Sequence, residues 1–328
     1  MAKENKAKVQ EEKPVEDINT LLPGATPINK PTKETPAYEE TIENARVKFA
    51  SSFKKGRYKS YIAMGIVLAA AIGAMICLGM KEQYWKIIGW SIVGAVVVGM
   101  IIYYIINRNS MPGKTKDYIK LVNEQLNMRN FADTRITEAM VDEKDKMDLS
   151  DPISDAVYAS LNNIASRNVV TGKFLGRSFK VADLGLYSGE GKKRTAAFVG
   201  KYLSYPNELH FEHRYIILSK GAQGIDKPTD IEDLVPLVDE GNFVIYGQKD
   251  AVPTTDLTQK FIDAIKKIKV YDHLLNLNVV IWAGHSAVYA SFDDSVMTLP
   301  FQKEFDKSSN EQYASTLIQI LEALSMIC

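Results

Sequence analysis

The chain has 328 residues, 46% of them hydrophobic, and its 40 Lys plus Arg balance 40 Asp plus Glu. That balance excludes a global basic field of the kind that binds nucleic acid, and a global acidic field for basic partners. Two cysteines and four histidines, with no Cys-x-x-Cys or Cys/His spacing among them, give no metal or disulfide framework, and no cofactor motif is present.

Residues 1–40 mix Lys, Glu and Pro with few apolar side chains, as in Lys3-Glu4-Asn5-Lys6 and Lys33-Glu34-Thr35-Pro36. Such a segment buries too little surface to offset its ordering entropy, so a disordered polar tail is expected. Leu21-Leu22-Pro23 is a brief apolar spot within it, and nothing in the tail reads as a signal peptide.

Residues 41–107 read as a membrane helical hairpin. Two runs, 61–80 and 87–106, contain no charged side chain. At about 1.5 Å per residue each run reaches about 30 Å, the thickness of a bilayer's hydrocarbon core. Residues 39–59 have helix-forming composition and are expected to extend the first span. Arg46, Lys48, Lys54, Lys55, Arg57 and Lys59 precede the first run, and Arg108, Lys114, Lys116 and Lys120 follow the second. Only Lys81 and Lys86, partly offset by Glu82, lie between the runs. The excess of positive charge predicts a cell-membrane protein with two spans and both termini cytoplasmic. Tyr84, Trp85 and Trp90 at one boundary, and Tyr58, Tyr61, Tyr103 and Tyr104 at the other, suit the two interfaces.

Small residues recur at spacing four, as Gly65, Ala69 and Gly73 on the first span and Ser91, Ala95 and Gly99 on the second. Each set forms a groove for close helix approach, either between the two spans or to another copy. The spans carry no ionisable side chain, which argues against an ion path or proton relay.

Residues 108–150 read as a helical linker. Met111-Pro112-Gly113 is expected to end the second span. Tyr118, Ile119, Val122 and Leu126 then recur with helical spacing, and a short element starts near Thr134. Residues 141–150 are charged and suit a solvated joint.

Residues 151–328 read as a cytoplasmic α+β domain of mostly antiparallel strands with flanking helices. Asp151-Pro152 marks a helix start, with Ile153, Val157, Leu161 and Ile164 as its apolar face. Strands are expected over 169–175, 178–184, 194–205, 208–219 and 242–248, with 194–205 and 208–219 forming a pair across Pro206-Asn207. Residues 221–228 read as a loop and 230–237 as a short acidic piece. Residues 255–270 form an amphipathic helix. A hairpin, 276–283 with 286–292, turns over Gly284-His285, and 301–327 closes the chain as helix.

No chemistry-bearing motif survives inspection. The turn 188–194 lacks the spacing of a phosphate loop. Gly284-His285-Ser286 lacks the second glycine of a nucleophile elbow, because Val288 stands there. His210 and His213 lie three apart on an expected strand, where side chains point to opposite faces. No catalytic residue is assigned.

The soluble part resembles a bacterial two-span membrane family catalogued as domain of unknown function 3137. The resemblance runs through Gly172-Lys173-Phe174, residues 179–184, Phe198-Val199-Gly200-Lys201-Tyr202, residues 239–246, residues 250–253, the strand pair 279–282 with 287–290, and Leu299-Pro300-Phe301. Two residues rather than one separate Glu240 from Phe243, Ile245 splits Val244 from Tyr246, and residues 210–214 and 221–236 have no counterpart. The resemblance implies two N-terminal spans and a cytoplasmic α+β domain, and implies no site. Taken together, the expected function is a binding or scaffolding domain held at the cytoplasmic membrane face, with the lipid bilayer and a protein partner or homo-oligomer as partners, and no nucleic acid. The alternatives are an unrecognised enzyme at that face, with polar groups converging from strands 169–219 or the 284–286 turn, and an oligomeric channel or transporter accessory.

Overall fold

The computed structural model describes residues 25–32, 37–108, 110–142, 147–148, 150–158, 160–191, 194–207, 213–220, 234–253, 257–268, 274–293 and 303–327. Leu21-Leu22-Pro23, His210, the 221–228 loop, Leu299-Pro300-Phe301 and Cys328 lie outside these residues, as do the side chains of Tyr103 and Tyr104.

The first described element is a two-residue strand, Thr26–Pro27, which pairs with Met140 and Val141, so this part of the expected polar tail is ordered in the sheet. Three helices follow. α1 (Tyr38–Gly79) is one helix of 42 residues, and it ends where Met80 turns extended and its N–H bonds the Cys77 carbonyl. It contains no proline, so nothing removes a backbone donor along its length. α2 (Gln83–Arg108) folds back along it, and α3 (Ser110–Asn130) continues from there. Met111-Pro112-Gly113 therefore does not close the second helix. It lies within α3.

The rest of the chain builds a sheet. The strands are β1 (Thr26–Pro27), β2 (Ile136–Asp142), β3 (Leu161–Phe174), β4 (Arg177–Ser188), β5 (Thr195–Tyr205), β6 (Tyr215–Ser219), β7 (Leu234–Asp239), β8 (Phe243–Gln248), β9 (Leu274–Trp282) and β10 (His285–Phe292). Between them lie α4 (Ser150–Asp155) and α5 (Gln259–Ile268), and α6 (Lys307–Ser325) follows the last strand. The strands join in one ten-stranded sheet, ordered β1-β2-β3-β4-β5-β10-β9-β6-β8-β7, with every described pair antiparallel. The architecture is α+β.

Local chemistry accounts for several of these choices. Leu175 and Gly176 both have positive φ, at 51° and 83°, which is the two-residue turn that matches strand twist in a hairpin. At the β9–β10 turn Gly284 has φ 73°, so His285 begins β10 rather than sitting in the turn. Asp306 caps α6 by accepting the Ser309 N–H at 3.2 Å.

Three expectations are corrected. The apolar spacing at 153, 157, 161 and 164 does not make one helix. Backbone with positive φ at Ala156 and Ser160 stops α4, and β3 begins at Leu161, with its first half paired to β4. Residues 194–205 and 208–219 do not pair with each other. The β9–β10 hairpin lies between β5 and β6, with β10 on β5 and β9 on β6. The acidic piece 230–237 includes the start of an edge strand, since Leu234 opens β7.

α5 and α6 cover one sheet face. Phe261, Ile265, Leu317, Ile320, Leu321 and Leu324 pack there with Leu203, Val279, Ile281 and Val288. The opposite face buries Leu184, Leu186, Phe198, Tyr202, Ile216, Val280 and Tyr289 under residues of the 147–158 segment, notably Met147, Val157 and Tyr158.

α3 belongs to this folded body. Phe131, just past its end, is buried in the core beside α6 residues and stacks on Phe179 at 5.9 Å. The lower half of α1 docks on the same body. Ile42 and Phe49 are buried, and Phe49 stacks on Tyr118 of α3 at 4.8 Å between ring centres. Glu39 pairs with Lys307 at the start of α6, and Tyr38 meets Phe305 edge-on. Hydrogen bonds from Lys307 to Glu39 and from Arg46 to Glu43 hold both glutamates below their ordinary pKa.

A methyl group added at Gly200 would meet the Ala290 carbonyl and sit 2.6 Å from the Phe198 ring, whereas at Gly65 it would meet nothing within 4 Å. Gly200→Ala is therefore expected to cost about 1–3 kcal/mol in denaturant unfolding of the detergent-purified chain. Gly65→Ala, in a helix, is expected to leave stability unchanged or slightly raised.

Candidate functional site

Two regions stand out, the apolar helices and a polar knot in the sheet. The most apolar windows of α1 and α2 have mean hydropathy 2.4 and 2.0, and only 6% of each is buried. Met64, Ile66, Leu68, Met75, Trp90 and Val98 are all exposed. Both helices are thus long and apolar enough to cross a membrane, by length and composition.

The two helices meet along a line that excludes most of the spaced small residues. Gly89 is the close approach, where an added Cβ would sit 2.8 Å from the Leu78 side chain and 3.2 Å from the Ala74 carbonyl oxygen. Ala74 is buried there. A Cβ at Gly65, Gly73 or Gly99 would meet nothing within 4 Å, and Ala69, Ser91 and Ala95 are exposed. The Ser91 hydroxyl bonds back to the Ile87 carbonyl at 2.9 Å. The small-residue faces therefore look away from the partner helix in the hairpin.

The polar knot centres on Asp155, the last residue of α4, which is fully buried. Tyr289 of β10 donates its hydroxyl to Asp155 Oδ2 at 2.6 Å. His285 Nε2 lies 2.9 Å from Oδ1, and the Trp282 indole N–H reaches the same oxygen at 3.5 Å, the outer limit of a hydrogen bond. Strand pairing assembles these groups. Tyr289 and His285 alternate on one face of β10, and Trp282 lies opposite His285 across the β9–β10 turn. Tyr202 stands beside Tyr289 on β5, ring centres 5.1 Å apart.

Burial, and then the charge of Asp155, push the Tyr289 hydroxyl well above its ordinary pKa, and the same two causes raise Tyr202. Burial lowers Arg214, and Asp155 opposes that shift. The Arg214 guanidinium lies over the Trp282 ring at 5.0 Å, and the His285 ring lies 5.1 Å from the same indole. Asn207 fixes the adjoining turn. Its amide donates to the Trp282 and His285 carbonyls and to Ser286 Oγ, and its oxygen accepts the Gly284 N–H.

This arrangement ties α4 to the sheet centre through a carboxylate that has several donors. His285 keeps partial contact with solvent, at 22% side-chain exposure. Among the described residues no Ser, Thr or Cys side chain bonds the His285 ring, and no group of three His, Cys, Asp or Glu stands together to hold a metal. Polar side chains of Asp155, Asn207 and Ser286 lie beside the Gly284 turn. Asp155 carries no sequence signal, because its partners lie 130 and 134 residues away. His213, one of the paired histidines, instead bonds the Gln248 side chain at 2.9 Å.

A half-buried ion pair joins Lys201 of β5 to Asp183 of β4, with Tyr313 of α6 against the ammonium at 5.5 Å. A cavity of about 400 Å³ opens between β1, α3 and the end of β2, lined by Pro27, Ile28, Lys120, Glu124, Asn127 and Asp142 among others.

No protein-family model matches the chain, and no curated protein does. Among solved structures, the mycobacterial trehalose monomycolate transport factor A, TtfA, is similar over 50% of this chain and 74% of that one, at 12% identity and a TM-score of 0.27. A likeness at that level carries no argument about function.

Replacing Asp155 with Ala would leave the Tyr289 hydroxyl and the His285 ring without their acceptor in a buried setting. Asp155→Ala is expected to destabilise the chain by about 3 kcal/mol, and Asp155→Asn, which keeps one acceptor oxygen, by clearly less. Equilibrium unfolding of the two variants side by side reads the difference.

Proposed function

We propose that α1 and α2 cross a lipid bilayer as a hairpin with both chain ends in the cytoplasm, and that the α+β body is a binding or scaffolding domain held at that membrane face. The observation that carries this reading is the double character of α1. Its lower half is packed into the folded body, while its upper half and α2 present apolar side chains outward on nearly all sides. In water such a surface would be a large exposed apolar patch, and in lipid it is at its lowest free energy. The positive charges at 46–59 and 108–120, against the sparse 81–86 turn, support the inward orientation of both ends.

The domain's part in this function is recognition. Its partner is a protein or a second copy of the chain, and the outward small-residue faces of the helices suit the second case. The resemblance to the two-span family of domain 3137 agrees with this layout. The domain is joined to the hairpin by a continuous helix and a docked α3 rather than by a loose tether, so a partner would meet it in a set orientation to the bilayer.

A reporter that is active only in the cytoplasm, fused after Cys328, is expected to be active, and the same reporter inserted between Lys81 and Glu82 is expected to be silent. Activity at 81–82, or silence at the C-terminal fusion, would reverse the orientation. Extraction of the chain from membranes by alkaline carbonate would remove the spanning reading altogether.

A further inference from the structure

The charges on the α1–α3 stalk are segregated. At its domain end most are paired: Arg46 with Glu43, Lys120 with Glu124, Arg129 with Glu311 and Lys307 with Glu39, while Lys48 is exposed without a carboxylate partner among the described residues. Nearer the apolar runs, Lys54, Lys55 and Lys59 on α1, and Lys114 and Lys116 on α3, are exposed and have no partner among the described residues. Among the described residues Arg57 meets Tyr61 alone, through its hydroxyl and its ring face, and Asp117 is the one carboxylate within 54–59 and 114–117.

The two groups of cations stand at similar heights. Phe49 stacks on Tyr118, and the helices run antiparallel, so residues after Phe49 on α1 lie level with residues before Tyr118 on α3. Lys54 to Lys59 precede Tyr61 by about 3–10 Å along the axis, and Lys114 and Lys116, about 3–6 Å before Tyr118 on α3, come level with points about 12–15 Å before Tyr61 on α1. The headgroup zone is about 5–8 Å deep on each side of a bilayer, and surface potential extends about 8 Å further at physiological salt. A lysine side chain reaches across part of that distance with its flexible stem.

We propose that this collar of unpaired lysines binds the headgroups of anionic phospholipids and so selects a negatively charged leaflet for the hairpin. The inference rests on the spanning orientation proposed above. Segregation is the argument for a ligand. Where the stalk meets the folded body, carboxylates from the same chain neutralise all of the cations but Lys48, and at the headgroup level they neutralise none among the described residues. A polybasic cluster next to a membrane helix gains attraction from each lysine near an anionic surface. Nucleic acid would meet the same charge but has no reason to be confined to the band beside the apolar runs.

The test uses the full chain reconstituted into vesicles of equal phosphatidylglycerol and phosphatidylcholine, then gently solubilised, with the retained lipids counted by native mass spectrometry. Insertion is checked first by resistance to alkaline carbonate, so a chain that fails to insert overturns the spanning reading and not the lipid preference. The inserted wild type is expected to retain phosphatidylglycerol over phosphatidylcholine by roughly fivefold. The variant K54Q/K55Q/K59Q/K114Q/K116Q, which keeps good helix formers at every position, is expected to approach parity. So is the wild type solubilised at roughly 0.5 M salt, where screening shortens the field. A control variant, K249Q/K260Q/K267Q in the soluble body, is expected to keep the preference. Equal retention of the two lipids by the wild type, or a preference that survives the five substitutions, would overturn the proposal.

Discussion

The structure depends on the continuity of α1. Its 42 residues, at about 1.5 Å each, form a rod about 60 Å long that belongs to two environments. At one end Ile42 and Phe49 are buried against the folded body, and at the other the side chains are apolar and outward. The ion pairs around this dock are partly exposed, and pairs of that kind contribute little each. The dock is held mainly by the burial of Ile42, Phe49 and Val122 and by the stacking of Phe49 on Tyr118. A helix without proline between these two halves passes any tilt of the hairpin to the domain.

The sheet solves a different problem. Its central strands β5, β10, β9 and β6 are covered on both faces, so polar side chains that point inward must find partners there. Asp155 is the clearest case, fully buried and reached by Tyr289, His285 and Trp282. The cost of burying a carboxylate is offset by these donors and by Arg214 nearby. The result fixes a short segment, 150–158, over a sheet face that carries no long helix among the described residues. Asn207 does the same for the β9–β10 turn with four hydrogen bonds to the turn's own residues.

Much of the fold was legible because its signals are local. The hairpin of β3 and β4 shows in Gly176, that of β9 and β10 in Gly284, and α5 in the spacing of Phe261, Ile265 and Ile268. The apolar runs announced α1 and α2 by length alone. What was not legible depends on distant partners. The first half of β3 carries Asn162, Asn163, Ser166 and Arg167, so it lacks an apolar strand pattern, and only pairing with β4 makes it a strand. The chance helical spacing of Ile153, Val157, Leu161 and Ile164 misled for the same reason. The order β5-β10-β9-β6 is set by which strands fit together in three dimensions, and the nearness of residues 194–205 and 208–219 in sequence says nothing about it. Nothing in the sequence singled out Asp155, since its burial is produced by residues more than a hundred positions away.

The central claim is that α1 passes from water into lipid near Tyr61. Spin labels placed one at a time at Asn44, Val47, Lys48, Ser51, Met64, Ile66, Leu68 and Met75 of the reconstituted full chain, all exposed positions, test it through their relative accessibility to oxygen and to a water-soluble nickel reagent. The account predicts nickel-accessible labels up to Ser51 and oxygen-accessible, nickel-excluded labels from Met64 onward, with oxygen access deepest near Leu68 to Met75. Nickel access that stays uniform along all eight positions would contradict it.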